Sequence, residues 1–301
     1  MHKTLSVTTV LLMLAILSSC FPKLERSGVT VIAGISIEAE CQTLDIQRDL
    51  MLNETYGLTE WMIEIPFQVQ PYDNKSSFKY YESHELDTIL PKLKSQQIPY
   101  NLGFNIENPR NVPISQARIE HYLTDISGML LRTAKVNYFP KRLIFMGELI
   151  NPDFTKGKLK RFVLEIRKEL PAFTGDILLA ATPKALQGAS FPWDIPDAIG
   201  IIFHEPPDPE FKPYFRKTNQ VLSQLLIDHQ KSALIVQTNL VGREKLLLFK
   251  NQLRFWDEKV VIEGIVINSL FCEFPLADSS SHFGLAKDKQ FQSYLKRYTS
   301  E

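Results

Sequence analysis

Short runs of β-branched and aromatic residues alternate along the chain with longer segments of helical periodicity. The runs predict eight strands, at residues 29–36, 59–67, 99–106, 141–148, 175–181, 197–204, 232–239 and 260–268. Apolar residues recur at the spacing of amphipathic helices over residues 86–94, 114–135, 158–170, 211–229, 243–257 and 287–298. Strands that alternate with helices predict βαβ units and therefore a parallel sheet.

The number of predicted βα units favours one of the α/β architectures over the others. Eight βα units within a chain of 301 residues match the size and order of a (β/α)8 TIM barrel. A doubly wound sheet rarely needs eight parallel strands at this length. Hydrophobic residues make up 44% of the chain and aromatic residues 11%, which is enough to bury one large core. We therefore expect a single TIM-barrel domain over residues 29–301.

The first twenty residues have the layout of a secretory signal. Lys3 gives a basic start, and the apolar run over residues 10–17 is too short to span a bilayer comfortably. The segment then ends in Leu17-Ser18-Ser19-Cys20, which resembles a bacterial lipobox. The resemblance implies a lipoprotein signal peptide over residues 1–19, an acyl anchor (diacylglyceryl and palmitate) on Cys20, and a tether over residues 20–28. An ordinary signal peptide or an N-terminal membrane anchor is the alternative.

The residue after Cys20 indicates which membrane would hold the protein, and the net charge of the mature chain indicates which partners are expected. Phe21 is not the aspartate that retains many proteobacterial lipoproteins in the inner membrane, so the resemblance favours the outer membrane of the cell envelope. Removal of residues 1–19 takes away Lys3 and no acidic residue, which leaves a net charge of −1. That balance argues against a nucleic-acid partner and against a polybasic second membrane signal. We expect a monomer that its lipid alone holds at the membrane.

Two cysteines remain beyond the proposed anchor, Cys41 and Cys272. Their separation matches no disulfide framework, and no Cys/His spacing matches a zinc site, so neither a metal nor another cofactor is predicted. Both cysteines follow the ends of predicted strands that become neighbours when a barrel closes. A disulfide is therefore one expectation, which needs Cα atoms within about 7 Å. Two unpaired cysteines in separate loops are the other.

Chemistry in a TIM barrel lies at the C-terminal ends of the strands. The polar residues at these predicted positions are Glu38, Glu64, Gln68, Asn105, Glu107, Glu148, His204, Glu205, Gln237, Asn239 and Asn268. Glu148 stands out because it ends an apolar strand and precedes a turn without a basic residue. A carboxyl group in such surroundings is suited to act as a general acid. Alternatively, Glu148 caps the next segment or pairs with a buried arginine.

Several segments resemble, in the same order, the strands of TIM-barrel glycoside hydrolases, and especially of family 113, which contains β-mannanases. FMGELINPDF (145–154) is similar to the GTEL or GNEL strand, and WMIEIPFQVQ (61–70) is similar to the second strand. GDILLAATPKALQGASFPWDIPDAIGII (175–202) resembles strands five and six, and EGIVIN (263–268) with HFGLAKDKQ (282–290) resembles the eighth strand and the last helix. The similarity spans residues 29–298. It implies a polysaccharide ligand, with Glu148 as the acid/base of a β-mannanase-like hydrolase if the protein is active.

Departures from the family pattern affect the second catalytic group. In the resembled family a glutamate that ends strand seven is the nucleophile, but here Thr238-Asn239 stands at that place. Asparagine cannot serve as a carboxylate nucleophile, and glycosidases need two carboxyl groups. The candidates for the second carboxylate are Glu205, Glu64 and Glu38. Gly147 also stands where the family usually has asparagine or threonine.

Contacts to a sugar are expected from polar and aromatic residues at the mouth of the barrel. We expect them from Asn105, Trp193, His204, Gln237, Asn239 and Asn268, with further aromatic candidates at Phe67, Tyr72 and Phe203. Sugar rings stack on aromatic side chains, although aromatic residues at such spacing equally fit a core.

Three interpretations remain open. The first is an active glycoside hydrolase that recruits a different second carboxylate. The second is a glycosidase-derived barrel that binds a glycan or a partner without cleaving it. The third is a barrel of unrelated function, such as a cell-envelope interaction or scaffold protein, in which Glu148 is structural.

Overall fold

The computed structural model describes residues 29–36, 56–69, 78–80, 84–107, 116–147, 156–203, 211–238, 245–267 and 289–300. The strands in these ranges are β1 (Thr30–Ser36), β2 (Glu60–Val69), β3 (Phe78–Tyr80), β4 (Tyr100–Glu107), β5 (Arg142–Gly147), β6 (Asp176–Ala181), β7 (Ala198–Phe203), β8 (Ala233–Thr238) and β9 (Ile262–Ile267). The helices are α1 (His84–Ser95), α2 (Gln116–Val136), α3 (Lys156–Glu169), α4 (Pro183–Leu186), α5 (Phe211–Asp228), α6 (Lys245–Gln252) and α7 (Lys289–Ser300).

Eight parallel strands close into a barrel. Their order around it is β1, β9, β8, β7, β6, β5, β4 and β2, and β2 pairs again with β1. At the closing seam Ile32 of β1 lies opposite Glu60 of β2, and the pairing continues to Ser36 opposite Glu64. The short strand β3 pairs antiparallel with the C-terminal end of β2, past the point where the pairing of β2 with β1 ends. The TIM-barrel prediction is confirmed.

Side-chain alternation along the strands creates two apolar cores. Outward-facing residues pack against the helices, as Phe67 does with Tyr122 of α2 (ring centroids 4.7 Å apart) and Phe203 with Phe215 of α5 (5.2 Å). Inward-facing residues fill the barrel: Ile32, Met62, Ile144, Met146, Leu178, Ala180, Ala198, Ile202, Leu234, Val236 and Val266. The interior is therefore a packed support for the strand ends, as is usual for this fold.

A buried charged network lies at the N-terminal end of the barrel. Arg142 donates through Nη1 to Glu60 Oε1, and through Nε to Glu263 Oε2 at 3.0 Å. Asn101 Nδ2 donates to the same Glu60 oxygen at 2.7 Å. The Arg142 and Glu60 side chains are each only 4% exposed, so each charge depends on the other for compensation.

A β-bulge brings Glu263 into this network. Ala233 of β8 pairs with Ile262, but the next residue, Leu234, pairs with Gly264, so Glu263 is an extra residue on β9. Bulges re-aim side chains in this way. Glu263 thus joins β9 to the network formed by Glu60 of β2 and Arg142 of β5. None of the helices within the described ranges is long and apolar enough to cross a bilayer.

Candidate functional site

The C-terminal ends of the strands form the mouth of the barrel. Among the predicted site residues, Glu64, Asn105 and Trp193 are described with their side chains, and Gln237 by its backbone in β8. Other predicted residues lie outside the described ranges: Glu38, Tyr72, Glu148, His204, Glu205, Asn239 and Asn268, together with Cys20, Cys41 and Cys272.

Glu64 and Asn105 are brought together at the mouth. They lie on the neighbouring strands β2 and β4, and Asn105 Nδ2 donates a hydrogen bond to Glu64 Oε1 at 2.8 Å. Both side chains are half-buried. Glu64 follows the interior residue Met62 by two positions, so it lies on the same face of β2, one step closer to the mouth. The pair is therefore a fixed carboxylate and amide directly above the apolar barrel core.

The floor beneath this pair is apolar and closely packed. A Cβ atom added to Gly103 would lie 2.5 Å from Met62 Cε and 3.0 Å from Met146 Cε, so the two methionine ends occupy the space beside the glycine backbone. A glycine inside a strand pattern is the sequence signal for such a close approach of neighbouring groups to the backbone. Hydrogen bonds beside a dry surface are electrostatically stronger than in water, which favours a stable Glu64–Asn105 contact.

The strand before Glu148 ends in an unusual backbone conformation. Gly147 has φ = 75°, in the left-handed region that glycine adopts without a steric penalty. Its Cα lies opposite Ile106, so β5 reaches almost to the end of β4. The conformation accounts for a glycine at the place where the resembled enzymes usually have asparagine or threonine.

The rim formed by β7 and β8 has an irregular register. Ile201 pairs with Ile235, whereas the next residue, Ile202, pairs with Gln237, and Phe203 pairs with Thr238. Bulges of this kind are over-represented at barrel rims and beside active sites. Because β3 lies outside the barrel, β8 is the seventh barrel strand along the chain. The sequence has no carboxylate from Gln237 to Asn239, so the end of β8 does not supply the acid that the resembled family carries on its seventh strand.

Trp193 lies at the opposite end of the barrel, which corrects the expectation that it lines the mouth. Its ring stacks on His229, with centroids 4.4 Å apart and planes 6° from parallel, and Phe191 contacts it edge-on. These residues line an open groove of about 830 Å³ beside the turn after α5. The physical reason is the short helix α4, after which the chain returns to the start of β7. Phe67 and Phe203 likewise pack on helices rather than at the mouth.

No group of three or more His, Cys, Asp or Glu side chains in the described part of the chain is arranged to hold a metal ion. The polar side chains at the mouth that the structure describes are one carboxylate, Glu64, and one amide, Asn105. Such groups bind hydroxyl-rich ligands through hydrogen bonds.

No family model and no curated protein sequence matches the chain, but solved structures do. One GH113 β-1,4-mannanase structure superposes with a TM-score of 0.66 at 11% identity, and covers 92% of this chain and 100% of the mannanase chain. The fold that the two chains share is the TIM barrel. A second GH113 β-1,4-mannanase structure gives 0.65 at 12% identity with the same coverage. A GH5-4 broad-specificity endoglucanase from Clostridium longisporum gives 0.57 at 9% identity, covering 92% of this chain and 99% of its own. Active sites of this fold lie at the C-terminal ends of the strands, so the mouth is the candidate active site.

Proposed function

We propose that the protein is a lipid-anchored, glycoside-hydrolase-like protein of the bacterial cell envelope that binds a polysaccharide at the mouth of its barrel. The observation that carries this proposal is the fixed Glu64–Asn105 pair at the C-terminal strand ends of a barrel that matches mannanase and endoglucanase structures over nearly its whole length. Carboxylate and amide groups are suited to bind sugar hydroxyls because they accept and donate hydrogen bonds in fixed directions.

Hydrolysis is the activity that this site would support. Glycosidases place one carboxyl group to protonate the leaving oxygen and a second to act as base or nucleophile. Glu148 is the proposed acid because it directly follows the end of β5 within a segment that resembles the glycosidase GNEL strand. Glu64 and Glu205 are the proposed sources of the second carboxylate.

Turnover of β-mannan and β-glucan oligosaccharides by the purified mature protein tests this activity. We expect reducing ends to appear with the wild type, and Glu148→Gln to abolish them because an amide cannot donate the required proton. Glu165→Gln is the matched control, since Glu165 is an exposed residue of α3 that pairs with Arg161 on the surface. Equal loss of turnover in the control variant would contradict a specific role for Glu148.

A non-catalytic barrel that serves as an interaction or scaffold protein is the second candidate function. The observation that favours it is the absence of a carboxylate from Gln237 to Asn239 in the sequence of the β8 rim. This function predicts that isothermal titration calorimetry detects oligosaccharide binding while no product forms. If the wild type neither binds nor cleaves any oligosaccharide, the proposed glycan function is wrong.

A further inference from the structure

Lysine side chains lie together at one side of the N-terminal end of the barrel, where α1 and α2 end. We propose that this lysine patch, formed by Lys92, Lys94, Lys135 and Lys141, binds the acidic phospholipid headgroups of the membrane that holds the protein. The inference rests on the proposed location at a membrane, and it adds a second contact with that membrane to the lipid.

The paths of the two helices bring these lysines onto one surface. Helices of this fold run back antiparallel to the strands, so their C-terminal ends lie beside the starts of the strands. Lys94 Nζ donates a hydrogen bond at 2.6 Å to the carbonyl of Val136, the last residue of α2, and so joins the ends of the two helices. Lys141 directly precedes β5, and its backbone N–H donates at 2.6 Å to the carbonyl of Tyr100, where β4 starts. The patch therefore covers the N-terminal ends of β4 and β5.

The surface of the patch presents positive charge. Residues 88–106 and 126–147 include lysines and arginines but no aspartate or glutamate. Lys92, Lys94 and Lys135 are exposed. Lys141 pairs with Glu60 at 2.7 Å, but the lysine side chain is 47% exposed and the glutamate side chain only 4%. The ammonium group thus faces the surface while the carboxylate lies beneath it.

Helix dipoles account for part of this pattern, since a basic residue in the last turn stabilises a helix. That effect acts within each helix, and it does not explain an acid-free surface that continues from α1 to the segment before β5. The exposed acidic residues described at this end of the barrel lie on the α3, β7 and β9 sides: Glu169, Asp194, Asp197, Asp228, Asp257 and Glu258. The even balance of charge over the whole chain therefore conceals a basic side.

The chain enters the barrel beside the patch, which identifies a membrane as the partner. β1 begins at Thr30, and its Ile32 lies opposite Glu60, the carboxylate that contacts Lys141. Cys20, the proposed acylation site, precedes Thr30 by ten residues. A lipid there would hold this side of the barrel at the bilayer, where anionic headgroups attract lysines close to the surface. Lipid and patch would then act on the same membrane.

Contact through the patch also sets the orientation of the barrel. The patch lies at the N-terminal ends of the strands, whereas the Glu64–Asn105 pair lies at their C-terminal ends. With the patch on the headgroups, the mouth faces away from the bilayer. A polysaccharide of the cell envelope would therefore reach the candidate site without passing between the protein and the membrane.

Sedimentation with lipid vesicles tests the patch. The mature chain, residues 20–301, is prepared without its lipid, because acylation would hold every variant on the vesicles. We expect the wild type to bind vesicles of equal parts phosphatidylglycerol and phosphatidylcholine at millimolar lipid, and not to bind pure phosphatidylcholine. High salt should release the protein, because it screens contacts between exposed charges.

Paired double variants locate the contact. Lys92→Gln/Lys135→Gln removes two exposed charges of the patch and should lower the partition coefficient roughly 25-fold, which is about five-fold for each lysine. Lys212→Gln/Lys217→Gln is the matched control, since it removes two exposed lysines from α5, beside β8 on the opposite side of the barrel. The control should bind like the wild type. Equal midpoints of thermal unfolding check that both variants fold.

Three results would overturn the inference: wild-type binding by the patch variant, an equal loss in the control, or binding of soluble alginate without binding to vesicles, which would assign the patch to an anionic polymer. The anchor is tested separately by mass spectrometry. Acylation of Cys20 without vesicle binding by the lipid-free chain means that the inference fails while the anchor stands. Vesicle binding through the patch with an unmodified N-terminus supports the patch and contradicts the anchor.

Discussion

At the scale of single residues, Gly147 fixes the backbone where β5 ends and Glu148 follows. Its φ of 75° is unfavourable for any residue with a Cβ atom. We therefore expect Gly147→Ala to destabilise the protein by about 1–2 kcal/mol, measured by urea unfolding. Gly128→Ala is the control, because Gly128 lies within α2 with open space around it and alanine favours a helix by up to about 1 kcal/mol. Equal effects of the two substitutions would contradict a conformational role for Gly147.

Asp176 is expected to make stability dependent on pH. Burial raises the pKa of its carboxyl group, and Glu263 and Asp197 raise it further, while Arg142 and Arg167 lower it. An acid whose pKa is higher in the folded state than in the unfolded state binds more protons when folded. Stability contributed by this group therefore decreases as pH rises through the interval between the two values.

Replacement of Asp176 by asparagine removes this unfavourable charge. We expect Asp176→Asn to be more stable than the wild type at pH 7, and the difference to vanish below about pH 3, where aspartate is protonated in both states. Urea unfolding between pH 3 and 7 measures the difference. Asp87→Asn, which removes an exposed partner of Arg132, is the control. A stability gain that is independent of pH would show that the carboxyl charge is not its cause.

The candidate site could be predicted in part from individual residues. Glu64 and Asn105 are expected at the site because both lie in the C-terminal part of predicted strands, and the C-terminal strand ends share one edge of a parallel barrel. Their hydrogen bond could not be predicted, since it depends on the register that places Gly103 opposite Glu64. Trp193 was misplaced because the single turn of α4, capped by Thr182, gives too short a signal to show where the chain reverses.

At the scale of elements, the hydrophobic pattern predicted all eight barrel strands with ends within two residues of those observed. Long apolar runs specify such strands because both faces are buried, one in the barrel and one under helices. The pattern missed β3, which has only three residues and pairs at the end of β2. It also missed the bulges in β8 and β9, because an extra residue changes the register without changing the apolar character of a strand.

The network between β2, β5 and β9 yields a prediction about the stability of these elements. Arg142→Met leaves the buried carboxylate of Glu60 and the partly exposed carboxylate of Glu263 without their shared guanidinium, although Lys141 still contacts Glu60. We expect a loss of about 3 kcal/mol in the free energy of unfolding. Without the guanidinium, the Glu60 carboxylate remains buried as a charge that is no longer fully compensated.

The control for this network is an ion pair on the surface. Arg161→Met disrupts the exposed contact with Glu165 on α3 and should cost less than about 1 kcal/mol. Addition of Glu60→Gln to Arg142→Met should recover part of the loss, since it removes the uncompensated charge. If Arg142→Met is no more harmful than Arg161→Met, the buried network does not stabilise the barrel as proposed.

At the scale of the whole molecule, the barrel begins close to the proposed anchor. β1 starts at Thr30, ten residues after Cys20. Ten residues span at most roughly 35 Å, so a lipid on Cys20 would hold the barrel near the membrane surface. A polysaccharide of the cell envelope would then be within reach of the mouth, which connects the proposed location with the proposed ligand.

The anchor itself is tested on the full chain. We expect mass spectrometry of the mature wild-type protein to show an acylated Cys20 at the N-terminus, with the protein in the membrane fraction. Cys20→Ala should accumulate as the unprocessed precursor, because the residue that carries the lipid and defines the cleavage site is missing. Cys41→Ala is the matched control and should be processed and acylated like the wild type. An unmodified N-terminus on the mature wild-type protein would contradict the lipoprotein proposal and leave the barrel without its expected attachment.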